Sequence, residues 1–192
     1  MIWLGYRLQL WPEEQCRQNL TDAEWHLAKT MSPKRSRQFC NGRALTRRLL
    51  QQHHAALTAD ISISLPSDSA PVLTVAAVRW HLSISHSAHA IAVAISNTNK
   101  LGLDIEQLKP RNIADFTAEY RALAGAVDST GFYRRWTAAE AYSKYSGEPL
   151  LQLLHHSLPD DIPQYHLPLN GYMLCLVYQH ADAVLTITED KR

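Results

Sequence analysis

At 192 residues with a formal net charge of +1, the chain has room for one large domain or two small ones, and no bulk polyelectrolyte partner is implied. Hydrophobic residues make up 46% and charged residues 19%, the balance of a globular protein with a real core. The three cysteines (Cys16, Cys40, Cys175) are odd in number and far apart, with no CxxC, which argues against a disulfide framework or a structural zinc site and fits a reducing compartment.

Residues 2–10 alternate, with Ile2, Leu4, Tyr6, Leu8 and Leu10 on one face, and predict a half-buried strand. Arg7, Glu13 and Glu14 interrupt any N-terminal apolar run, and no stretch is long enough to span a membrane, so the expectation is a soluble cytoplasmic protein. Thr21-Asp22-Ala23-Glu24 has the form of a capping box and opens a short helix. Ser32-Pro33 supplies an N-cap and a first-turn proline for a longer helix to about His53. Its apolar stripe is Phe39, Leu45, Leu49 and Leu50, interrupted by Gly42. A helical glycine costs about 1 kcal/mol against alanine, so Gly42 marks either a close-packed backbone or a kink. Six basic residues and no acidic one fall between Pro33 and Arg48, which reads as an anion site or a solvated helix face. With Phe39 as its one aromatic, this segment does not look like a nucleic-acid module.

Strands are predicted at 61–65, 72–75, 80–85, 90–96 and 101–106, with a turn at Asn97–Lys100. The run from Ala90 to Ile95 is apolar on both faces, as in a central strand. A helix from Asn112 to Gly125 and another from Ser129 to Ser146, ended by Gly147, follow. Strands return at 172–178 and 184–188. The order strand, helices, strands occurs twice. The expected fold class is α+β, with two similar halves, 1–98 and 99–192, related by a pseudo-two-fold axis and an active site between them.

Two short segments carry the chemistry. In Gly102-Leu103-Asp104-Ile105-Glu106 the two acids share one strand face. In the helix after Asp128, Trp136, Glu140 and Lys144 stack four residues apart, with Trp136 expected as a core anchor. Taken singly, the strand acids read as a solvated face and Glu140 with Lys144 as a surface ion pair. If the two faces meet, three carboxylates and a lysine converge, and Asp104, Glu106 and Glu140 are hard oxygen donors suited to Mg²⁺. Ser83-Ile84-Ser85-His86-Ser87 lies between two predicted strands. It is either a polar turn or a phosphate-binding pair in Ser85 and His86. The spacing of His81, His86 and His89 matches no standard zinc pattern.

Together these segments resemble the paired signature of the 4′-phosphopantetheinyl transferases. The agreement extends upstream to Ser32–Arg37, to Gly42-Arg43-Ala44-Leu45 and to the serine-histidine-serine segment, and downstream to Lys109-Pro110-Arg111. The length is similar to that of the broad-range monomeric class. The resemblance implies transfer of the phosphopantetheine arm of coenzyme A to a serine of an acyl or peptidyl carrier protein, of the holo-acyl-carrier-protein synthase type, with release of adenosine 3′,5′-bisphosphate. Such enzymes serve fatty-acid, polyketide and nonribosomal peptide synthesis. It implies Mg²⁺ on Asp104, Glu106 and Glu140, with Glu140 also a candidate base and Lys144 on the phosphates. Lys34, Arg37, Arg43, Ser85, His86 and Lys144 become coenzyme A contacts. No nucleic-acid or membrane partner is implied.

Three departures stand out. Ala139 replaces a lysine, Ser69-Ala70-Pro71 replaces glycine-lysine-proline, and Ala88 replaces a glycine. Two lost cations would weaken coenzyme A binding, and on this reading Ala139→Lys tightens it. The alternative is a catalytically weakened homologue that binds carrier protein or coenzyme A without efficient turnover. The segment between Arg111 and Phe132 is also short for the family.

Overall fold

The computed structural model describes residues 1–65 and 70–190. Its architecture is α+β, in two compact units. The first runs from Met1 to Asn99 and takes back the C-terminal segment from Ala183; the second is Lys100–Asp182. The C-terminal strand therefore belongs with the first unit and not, as expected, with residues 99–182.

The first unit comprises β1 (Ile2–Arg7), α1 (Glu13–Cys16), α2 (Asp22–Lys29), α3 (Pro33–His54), β2 (Ile61–Ile63), β3 (Leu73–Val75), β4 (Val78–Ser87) and β5 (Ala90–Ser96). The second comprises β6 (Leu101–Gln107), α4 (Ile113–Glu119), α5 (Ser129–Ser146), α6 (Leu150–Leu154), β7 (Gln164–Leu169) and β8 (Tyr172–Tyr178). β9 (Leu185–Glu189) completes the first unit's sheet, ordered β2-β3-β4-β5-β1-β9; the second sheet is β6-β8-β7. Each unit repeats one plan. A first strand is followed by a long helix and a hairpin whose second strand pairs antiparallel with the first, as β5 does with β1 and β8 with β6. The sheets around that plan differ in size, with six strands against three.

β1 lies between β5 and, in parallel, β9; Ile2–Tyr6 are all buried, so it is buried on both faces rather than half-buried, and it stops at Arg7. β5 is buried at every residue, as its apolar run requires. The core of the unit gathers Trp3, Trp80, Leu45, Leu49, Leu50, Ile91, Val93 and Ile95, with the Trp3 and Trp80 rings stacked at 5.5 Å. Gly42 is not a kink. α3 is continuous through it, and a β-carbon there would stand 3.2 Å from Ile84 Cγ2. Arg7 and Arg48 both pair with Asp190, just after β9, which ties the C-terminal segment to the sheet.

The capping box of α2 forms as expected. Thr21 Oγ1 accepts from Glu24 N, and Glu24 Oε2 accepts from Thr21 N. Glu24 has a second job. It is 2% exposed and lies between Arg43 (2.7 Å) and Arg47 (3.0 Å), themselves 4% and 1% exposed. Burial pushes its carboxyl up, but hydrogen bonds from Arg47 and Thr21 and the two charges outweigh it and hold it below the ordinary value. The stabilisation is present above the unfolded carboxylate range and is lost as pH falls through the lowered value. Glu24→Gln leaves two buried guanidiniums without a counter-charge. It is expected to cost about 3 kcal/mol in denaturant unfolding at pH 7, with the difference from wild type shrinking in acid.

In the second unit α5 begins on Asp128, whose Oδ1 accepts from Gly131 N at 2.7 Å, and ends at Gly147 with φ +87°, both where the sequence sets them. The helix expected from Asn112 to Gly125 is shorter. α4 stops at Glu119, and a single helical turn at Arg121–Leu123 follows. Neither α4 nor its cap carries a side-chain-to-backbone cap bond, and the tight packing of Leu123, Phe132, Tyr133 and Leu154 sets the segment's path instead.

Candidate active site

β6 and α5 position the site. Asp128 and Gly147 fix the ends of α5, and its small residues Ala138 and Ala141 pack against Cys175 and Val177 of β8. On β6, Gly102 faces the helix. A β-carbon there would run into Ala141 O and stand 2.5 Å from Tyr145 N, so the strand and helix backbones are in direct contact. Alternation puts Asp104 and Glu106 on the face of Gly102. This face is not solvated. Asp104 is 3% exposed and Glu106 half-buried.

Asp104, Glu106, Glu140 and Lys144 are brought together. Lys144 Nζ lies 2.9 Å from Asp104 Oδ1 and donates to Leu103 O at 2.9 Å. The Glu140 carboxyl is pushed up to about 7, first by burial, then by the negative charges of Asp104 and Glu106, with Lys144 opposing. Carboxylates couple in this way only at short range. Among the described residues no group of three or more His, Cys, Asp or Glu stands in an arrangement that could hold a metal ion. Donor type and charge nevertheless fit a hard divalent cation: all the donors are oxygens, and three acids face one lysine. Trp136 is the expected anchor, stacked on Phe132 at 6.0 Å and edge-on to Phe116. Tyr133 Oη, which sequence reasoning passed over, accepts from Lys109 N and Arg111 Nε and fixes the chain after β6.

The basic and serine-histidine residues lie in the first unit. Ser85 is 5% exposed and His86 exposed, both within β4, which runs on to Ser87. The expected turn is shorter, confined to Ala88 and His89. Ala88 has φ +50°, a left-handed conformation that an L side chain adopts at a cost of about 1 kcal/mol and glycine adopts freely. Lys34 and Arg37 are exposed and line a groove of about 670 Å³ with Leu10, Pro12 and His89. Arg43 does not join them. Its donors go to Glu24 and to Ile63 O at 3.1 Å in the buried interior, and to Ser64 O at 2.6 Å at its edge. Ala70 is described but Ser69, in the same three-residue segment, lies outside the described residues.

Ala139 is fully buried among Ala122, Leu123, Phe132, Tyr133 and Met173. A lysine there enters the core, so the gain in coenzyme A affinity read from the sequence is withdrawn. Ala139→Lys is expected to destabilise the fold by about 3 kcal/mol through overpacking and a buried charge, seen as a lowered unfolding midpoint.

Residues 100–188 match the family model described as the 4′-phosphopantetheinyl transferase superfamily. The chain is 27% identical over 133 residues to the 4′-phosphopantetheinyl transferase HetI of Nostoc sp., covering 63% of this chain and 56% of that protein. It is 31% identical over 100 residues to the 4′-phosphopantetheinyl transferase AcpT of Salmonella typhimurium, and 30% over 100 residues to that of Salmonella typhi, covering in each case 44% of this chain and 48% of the relative. The matched part spans about half the length of these relatives. The matched segment contains all four converging side chains, and through residues 100–188 the chain is similar to the 4′-phosphopantetheinyl transferase superfamily.

Proposed function

We propose that the chain moves the 4′-phosphopantetheine arm of coenzyme A to a serine hydroxyl of an acyl or peptidyl carrier protein and releases adenosine 3′,5′-bisphosphate. The observation that carries this reading is the meeting of Asp104, Glu106 and Glu140 with Lys144 on β6 and α5, inside the segment shared with the family.

Asp104, Glu106 and Glu140 would hold Mg²⁺, which when bound neutralises pyrophosphate charge and polarises the reacting phosphorus. The serine oxygen forms a bond to the phosphorus that bears the pantetheine arm, and the phosphoanhydride bond to the adenosine bisphosphate breaks. Lys144 places its ammonium on the phosphates, where charge develops on the leaving group. Glu140 takes the serine proton, directly or through water. Both of its jobs, ligand and base, need the carboxylate form. Without a cation, burial and the neighbouring acids push this carboxyl up to about 7, and a bound cation would favour the carboxylate. Lys34 and Arg37 in their groove, with Ser85 and His86 on β4, bind coenzyme A phosphates. Arg43 is left out because its donors serve Glu24 and the backbone.

Intact-mass measurement of apo carrier proteins incubated with the chain, coenzyme A and Mg²⁺ tests this. The expected result is a gain of one phosphopantetheinyl group per carrier, with equimolar adenosine 3′,5′-bisphosphate. No gain on any fatty-acid, polyketide or peptide carrier would overturn it. Release of the bisphosphate without an acceptor would mark a hydrolase instead.

A further inference from the structure

A second polar cavity lies in the unit Lys100–Asp182, at the N-terminal half of α5 and the loop before β7. Its volume is about 590 Å³, within the range of small-molecule sites. Arg121, Arg134 and Arg135 line it with His166, and Asp160 is the one acid in the lining. None of Asp104, Glu106, Glu140 and Lys144 takes part. Among the described residues the three guanidiniums make no ion pair, with Asp160 or any other acid. Three such forks around one concavity attract an oxyanion and match its geometry.

His166 adds an independent observation. Its Nδ1 is buried and has no hydrogen-bond partner among the described residues. Burial, and then Arg134, push the imidazole down to about 4, so the ring is neutral at pH 7. On its other side Nε2 lies 4.0 Å from Cys175 Sγ. An S–H donating to Nε2 leaves the ring proton on Nδ1, a donor waiting in the wall of a cationic cavity.

We propose that this cavity binds a small phosphate-bearing anion, held by Arg121, Arg134 and Arg135 and oriented by His166 Nδ1–H. The site is separate from the transfer chemistry and does not depend on it. The concave shape and the size of a small-molecule site favour a small molecule over a docked protein surface.

Inorganic phosphate, titrated into the whole chain at constant ionic strength and without Mg²⁺, tests the assignment. The readout is the His166 ring signals in ¹H–¹³C NMR, with sodium chloride as the control. Phosphate is expected to move these signals saturably and chloride is not. In the double variant Arg121→Gln/Arg135→Gln, whose replaced side chains are exposed and leave the core intact, phosphate binding weakens at least tenfold. An unsaturable response, an equal response to chloride, or full affinity in the double variant would overturn the proposal. So would His166 shifts produced by an acidic carrier protein but not by phosphate, because the cavity would then be part of a protein-docking surface.

Discussion

Glu140→Gln is expected to lower transfer roughly a thousandfold while making the fold more stable at neutral and alkaline pH. The loss follows from chemistry. The amide keeps the shape of the side chain but can neither accept the serine proton nor supply a charged oxygen to a cation. The gain follows from electrostatics. Burial and the neighbouring Asp104 and Glu106 raise the carboxyl to about 7, so the folded chain holds that proton more tightly than the unfolded chain does. The group's contribution is fully present below the unfolded carboxylate range and is lost as pH rises through about 7. Glutamine mimics the protonated form at every pH. The stability gap between variant and wild type therefore opens on the way up to pH 7 and reaches the order of 1 kcal/mol or more beyond it. Urea unfolding with no divalent cation present, at pH 5 and pH 8, measures the gap. A variant less stable than wild type at pH 8 would contradict the description of a site strained by its own negative charge.

Gly102→Ala is expected to cost about 4 kcal/mol or more, beyond ordinary overpacking. The added carbon meets backbone on the α5 side, at Ala141 O and Tyr145 N, and not the yielding end of a side chain. The helix has to move off the strand. That shift separates Glu140 and Lys144 from Asp104 and Glu106, so the residual folded protein should lose transfer along with stability. Gly147→Ala serves as the comparison. It is strained by φ +87° but meets nothing within 4 Å, so it should lose only about 1 kcal/mol and keep its activity. Unfolding midpoints and transfer rates of the two variants separate close packing from glycine's conformational freedom.

The elements nearest the site were the most legible, for local reasons. α5 is bounded by an N-cap aspartate and a C-terminal glycine, and β8 by its own apolar run, so short-range rules suffice. Asp104, Glu106, Glu140 and Lys144 could be set on matching faces because strand and helix periods are fixed. What alternation could not show is that the acid-bearing face of β6 is covered, since covering depends on partners distant in the chain. Arg43 shows the same limit. Among basic neighbours it reads as an anion contact, yet it sits beside Ala44 and Leu45 on the buried side of α3, and its counter-ion Glu24 is on α2. A charge inside an apolar stripe was the available signal for a buried pair. Ala139 was read by comparison of letters alone, which carries no information about whether a position faces the site or the core. β9 pairs in parallel with β1 across nearly the whole chain, and no local pattern encodes such a pairing.

Cation binding by the whole chain, followed by Mn²⁺ electron paramagnetic resonance, tests the central claim that the acids of β6 and α5 form a single site. Wild type is expected to bind one ion in that site. Asp104→Asn and Glu140→Gln should each weaken it at least tenfold, and Glu148→Gln, an exposed acid just past the end of α5, should leave it unchanged. Equal binding by wild type and both site variants would contradict the account.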